Sequence, residues 1–260
     1  MSSIFAFSLG FIIGAQVVPK TALLEFDKEP VSEFVAEGKR LAENKKPAYT
    51  TAFPFQKVLS RWWNGKTYRP IEFVWWFSPE YVSLRLGYLA RKEGWKEGEI
   101  SKRWRQIRQD RKGKLSFIVQ LAAAPKVDIL SGEKAWETDT KDLENVHFVL
   151  IVGKEIFHPT KAEIVHARRT REEYLLSRFP WHQFAPGGNL LREETEEPLP
   201  SALPIGEYYL HLFIVEFSTK ELQKIWNESS NLVLEIRSRG KERTAVFSLR
   251  LTIGTYNTGN

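Results

Sequence analysis

The chain has no cysteine and a single methionine in 260 residues. The missing thiols exclude disulfides, thiolate metal sites, a cysteine nucleophile and a lipid-modified cysteine at a signal cleavage site. Scarce methionine beside plentiful Glu, Lys, Arg and Pro fits a thermophile's composition. The marks of common chemistries are missing too. There is no GxSxG elbow, no GxGxxG turn and no GK[ST] loop, and His147, His158, His166, His182 and His211 show neither HxxxH nor HExxH spacing. A serine hydrolase, a nucleotide site and a zinc helix thus have no local signature here. Carboxylate pairs such as Asp139 with Asp142 are generic surface spacings, so this reading calls for no catalytic residue, no metal and no cofactor.

Long apolar runs are short as well. Residues 4–15, IFAFSLGFIIGA, have the length of a signal-peptide core with cleavage after Ala15, and are too short to span a bilayer comfortably. No Lys or Arg precedes them, so a buried first element of the fold remains the alternative. Export to the periplasm or cell envelope is the expectation, with a cytoplasmic location as the other branch.

What is present is aromatic and basic, and both features are localised. The net charge is +6. Residues 101–114 hold seven bases (Lys102, Arg103, Arg105, Arg108, Arg111, Lys112 and Lys114) and one acid, Asp110, so the rest of the chain carries 31 of each sign. The excess charge belongs to one segment. On a helix spanning 97–112, Ile100, Trp104 and Ile107 line one face, while Lys102, Arg105 and Lys112 project elsewhere with Arg108 at the margin. Such a stripe can hold nucleic acid or another polyanion. The same spacing also describes an amphipathic helix whose cations simply stay solvated. Of nine Trp, six (Trp62, Trp63, Trp75, Trp76, Trp95 and Trp104) fall in one short span. Most suit a core; Trp76, Trp95 and Trp181 are the candidates for aromatic contact with a ligand.

Periodicity organises the chain around residues 206–217, GEYYLHLFIVEF. Both alternating faces are apolar there, as in a central strand. Before it, a strand is expected at 21–26 and a helix from Pro30 to about residue 45. A second helix is expected from Pro54, with Val58, Leu59, Trp62 and Trp63 in a stripe. A strand at 67–77 follows, with Phe73 and Trp75 opposed to Val74 and Trp76. Ser78-Pro79-Glu80 marks a helix start by hydroxyl cap, N1 proline and first-turn acid, with a stop at Gly94. Strands are expected at 115–122, 147–152, 155–157 and 161–169. Thr170 with Glu173 suggests a capped helix, and 180–205 is a Pro, Gly and Glu-rich loop. Ser218 with Glu221 suggests another capped helix, and 231–237 with 243–253 a hairpin. His211 reads as a core or interface group with a satisfied hydrogen bond.

Turns rather than helical crossovers join these strands, which favours antiparallel pairing. The fold class is therefore α+β. An antiparallel β-sandwich of about six or seven strands over 114–260 resembles immunoglobulin-like architecture, and it follows an aromatic-rich helical portion over 16–113 and the leader, 1–15. The functional expectation is a non-enzymatic exported or cell-envelope protein acting in binding or assembly, with a protein or envelope polymer as partner. One alternative is a soluble protein that binds nucleic acid or another polyanion through the basic helix. The other is a hydrolase with a site near 180–205.

Overall fold

A computed structural model describes residues 20–46, 51, 55–63, 68–123, 125–126, 137–138, 143–169, 209–239 and 241–251. The leader at 4–15, the capped helix after Thr170, the loop at 180–205 and the tail after 251 lie outside the described residues.

The elements run β1 (Lys20–Thr21), α1 (Ser32–Glu43), β2 (Gln56–Trp63), β3 (Tyr68–Trp76), α2 (Pro79–Glu93), α3 (Glu97–Arg111), β4 (Lys114–Ala123), β5 (Pro125–Lys126) and β6 (Glu137–Thr138). They continue as β7 (His147–Val152), β8 (Glu155–Phe157), β9 (Lys161–Arg169), β10 (Tyr209–Ser218), α4 (Thr219–Trp226), β11 (Asn231–Ser238), β12 (Lys241–Ser248) and β13 (Arg250–Leu251). The class is α+β, and every strand pair is antiparallel. One sheet has five strands in the order β2-β3-β4-β10-β9, another has four in the order β12-β11-β7-β8, and two short ribbons pair β1 with β13 and β5 with β6.

β10 lies inside the larger sheet, between β4 and β9. Its two apolar faces have two different coverings. Phe213, Val215 and Phe217 share a face with Val119, Phe117 and Leu115 of β4. Toward that face the smaller sheet turns its own buried residues: Phe117 meets Phe247 of β12 with ring centroids 5.9 Å apart, and Phe213 meets Phe148 of β7 at 5.2 Å. Helices cover the opposite face. Tyr81 of α2 stands edge-on to Trp75 at 4.7 Å, and Arg111 of α3 reaches Glu216 at 3.1 Å and the Ser116 hydroxyl at 2.8 Å. Because β2 and β3 belong to the same sheet as β4 and β10, that sheet draws strands from both sides of residue 113.

α2 is the buried helix of the group. Ser78 Oγ accepts the Tyr81 N–H at 3.1 Å, Pro79 occupies the first turn, and Gly94 closes the helix at φ +70°. Every residue from Pro79 to Ala90 is buried. α1 lies against it where both helices carry glycine.

Four expectations need correction. The segment after Pro54 is strand β2, not a helix. Its register against β3 shifts twice, around Leu59 and again between Ser60 and Arg61, so apolar residues fall at spacings that imitate a helical stripe. Of the strand expected at 21–26 only Thr21 pairs, as the second residue of β1, and α1 begins at Ser32 rather than at Pro30. α4 begins where the capping box places it, but the Ser218 side chain makes no cap bond; the Thr219 hydroxyl donates instead to the Glu25 carboxylate.

Candidate functional site

The basic helix is α3, and its stripe behaves as the amphipathic account requires. Ile100, Trp104, Ile107 and Arg111 are buried. Lys102, Arg105 and Lys112 are exposed, Arg105 turning its Nε back to the Ser101 carbonyl at 3.3 Å and Lys102 standing 3.9 Å from Glu99. Arg108 is tied into the fold, its Nε donating to the Phe26 carbonyl at 3.2 Å. Three of the four candidate anion ligands are therefore exposed, Lys112 from the residue that follows the helix, and the fourth is engaged.

The aromatic candidates separate. Trp76 is buried, 6.1 Å from Trp226 and 5.8 Å from Phe247, so the expected open ring face is closed. Alternation places Trp76 correctly opposite Trp75, but the smaller sheet covers that side. Trp95 is half-buried, with the Arg103 guanidinium stacked 3.9 Å from its ring centre, which occupies one face. Trp181 lies outside the described residues. His211 is half-buried 6.0 Å from Phe213, with a backbone hydrogen bond at Leu143 and Nδ1 unpartnered. Burial holds its pKa below the usual value, against a backbone hydrogen bond at Leu143.

Pairing assembles a surface that no single segment announces. On the outward face of the smaller sheet, Val246 of β12 stands opposite Val233 of β11, Val233 opposite Ile151 of β7, and Ile151 opposite Ile156 of β8. Four β-branched side chains thus form one row across all four strands. Ile156 is 61% and Val246 48% exposed, and the two between are partly covered. Charges beside the row answer one another: Arg237 lies 2.7 Å from Glu235 and 3.5 Å from Glu242.

A third feature concerns residues 22–31, an extended strap held by side chains from several elements. Trp226 Nε1 donates to the Ala22 carbonyl at 2.6 Å and Trp104 Nε1 to that of Asp27 at 3.0 Å, while the Val31 N–H donates to Ser83 Oγ at 2.9 Å. The Leu23 N–H donates to Glu80 Oε1. Beneath the strap lies a cavity of about 360 Å³ that includes Glu80 in its lining. Glu80 is 3% exposed, and its Oε2 has no hydrogen-bond partner. Desolvation pushes its pKa up to about 7, against bonds from the Leu23 and Glu80 N–H groups and the Ser78 hydroxyl.

Among the described residues no group of three or more His, Asp or Glu side chains converges to hold a metal ion, and no helix is long and apolar enough to cross a membrane. No family model matches the chain, and neither a curated protein nor a solved structure does.

Proposed function

We propose that the protein acts by binding or assembly in an exported or cell-envelope setting, with a protein partner docking on the outward face of the four-stranded sheet. The two sheets, whose phenylalanines interleave, form in this reading one sandwich of immunoglobulin-like architecture. The row Val246–Val233–Ile151–Ile156 is the observation that carries the reading. A stable monomer has no need of large β-branched side chains left in water at the two ends of one cross-sheet row, whereas a second apolar surface seated there would bury all four. With charges beside the row already paired within the sheet, docking would leave little unpaired charge behind.

The test is a charge pair placed on the row. Ile156→Lys with Val246→Glu should abolish self-association in sedimentation velocity, or site-specific crosslinking to a partner from residue 233, while leaving the melting temperature of the isolated protein within a few degrees. Unchanged association in both measurements removes the sheet-face reading. Cell fractionation with intact-mass analysis addresses export separately: a mature chain beginning near Gln16 in the envelope fraction supports it.

A second reading attaches to α3, because Lys102 and Arg105 lie exposed on it and Lys112 lies exposed at its C-cap. In that reading they hold a nucleic acid or another polyanion. Binding to single-stranded DNA or heparin would then weaken with salt, and Lys102→Glu with Arg105→Glu would abolish it. Salt-independent or unaltered retention of the ligand removes this reading.

A further inference from the structure

The cavity beneath the strap counts Glu80 in its lining, and Oε2 of that residue is buried without a hydrogen-bond partner. Asp27 and Glu29 come from the strap, Glu33 from α1 and Glu80 from α2; every charged residue in the described lining is an acid. The remaining surface is largely apolar, with Leu23, Val31 and Phe34 among the contributors. Arg250 of β13 directs its guanidinium to the hydroxyl of Thr21, another lining residue, and not to a carboxylate.

A buried carboxylate oxygen with no protein partner is costly as an anion unless a cation or a proton meets it. Protonation is one answer and a bound cation the other. The acids do not converge in the manner a metal ion needs. They are spread along a half-apolar lining, which suits a charged head on a short hydrocarbon body. We propose that this cavity binds a small organic cation, an alkylammonium or guanidinium group whose head pairs with the Glu80 carboxylate and whose body lies against Leu23, Val31 and Phe34. The cation is either a free amine or a Lys or Arg side chain of a peptide.

The experiment uses the full chain with four probes at pH 8 in titration calorimetry: n-butylammonium, a blocked lysine tripeptide, n-butanol and Mg²⁺. The proposal requires saturable binding of at least one of the first two, and no comparable binding of n-butanol or Mg²⁺. A preference for butylammonium identifies a free amine as the source, and a preference for the peptide identifies a protein side chain. Binding must also draw the proton from Glu80, so affinity should fall about tenfold from pH 8 to pH 6. Glu80→Gln keeps an acceptor for the Leu23 N–H and should reduce affinity by at least about tenfold. Should that variant fold poorly, Asp27→Asn with Glu29→Gln, both at exposed positions, should weaken binding several-fold at low salt and less at high salt. Equal binding of n-butanol, tighter binding of Mg²⁺, an unchanged affinity in these variants, or no saturable binding of either cation overturns the proposal.

Discussion

Arg243 of the four-stranded sheet and Glu72 of the five-stranded sheet form an ion pair that joins the two sheets. Arg243 Nη2 lies 2.7 Å and Nε 3.1 Å from Glu72 Oε1, and both residues are buried. The Ala122 N–H also donates to that oxygen, and Lys241 Nζ lies 3.4 Å from Oε2. Burial alone would raise the Glu72 pKa; the Arg243 hydrogen bonds and charge, with Lys241 and Ala122, outweigh it and hold the carboxyl below its ordinary value. Desolvating both charges offsets most of their attraction, so a buried pair of this kind contributes little net stability. Arg243→Ala should therefore cost about 3–5 kcal/mol by stranding a buried carboxylate, while Glu72→Leu with Arg243→Met should cost far less. Chemical denaturation of the two variants checks this. A single variant no worse than the double would mean that no buried charge is stranded.

The contact between α1 and α2 makes a prediction against helix propensity. In a helix interior, Ala is better than Gly by about 1 kcal/mol. Yet a Cβ at Gly38 would stand 2.0 Å from the Leu84 carbonyl oxygen, and one at Gly87 would stand 2.1 Å from that of Val35. Backbone cannot yield as a flexible side chain does, so Gly38→Ala and Gly87→Ala should each lower stability by about 1–3 kcal/mol or more. Gly98, on α3, has nothing within 4 Å of its added carbon. Gly98→Ala should be neutral or stabilising, and thermal melts of the three variants compare them directly.

The strap can be loosened without touching the sheets. Ser83 Oγ is buried, donates to the Pro79 carbonyl at 2.8 Å and accepts the Val31 N–H at 2.9 Å. Ser83→Ala leaves that N–H unmatched, for an expected loss of about 1–3 kcal/mol. The location of the loss is diagnostic. Native-state hydrogen exchange should speed most at Val31 and along the start of α1, with β4 and β10 amides keeping their protection relative to global unfolding. Uniform acceleration would mean that the strap is not a separately opening unit.

The parts of this fold that local rules govern are legible in the sequence. β10 declares itself by two apolar faces, α2 by Ser78, Pro79 and Gly94, and the β11–β12 hairpin by its glycine-bearing turn. β2 does not, because its register shifts against β3 destroy the alternation by which a strand is read. Alternation also identifies which residues share a face, without saying what covers that face. It thus sets Trp76 on the right side of β3 and leaves it open, whereas Phe247 and Trp226 close it. The row from Val246 to Ile156 depends on the pairing of four strands, and each member alone is an unremarkable valine or isoleucine. Glu80 reads as a first-turn acid that favours a helix start; its burial comes from a strap some fifty residues earlier in the chain.

That burial gives Glu80 an effect on stability opposite to that of Glu72. For Glu72 the folded pKa is lowered, so its contribution is present above the unfolded carboxyl value and is lost as pH falls through the folded one. For Glu80 the folded pKa is raised to about 7 from 4.5, so the native state holds more protons than the unfolded state between those values. Unfolding free energy then decreases as pH rises: the Glu80 contribution is fully present below about 4.5 and is lost as pH passes through about 7. The span is worth up to about 3 kcal/mol, at roughly 1.4 kcal/mol for each tenfold change in proton affinity. Urea denaturation of the wild type between pH 5 and 8 should show this decline, which the lowered His211 pKa opposes rather than adds to. Glu80→Gln, which cannot ionise, should flatten it while leaving the acid limb below pH 4 intact. If the variant keeps the wild-type slope, Glu80 ionises freely in the folded state, and its carboxyl does not sit in the dry setting that the strap provides.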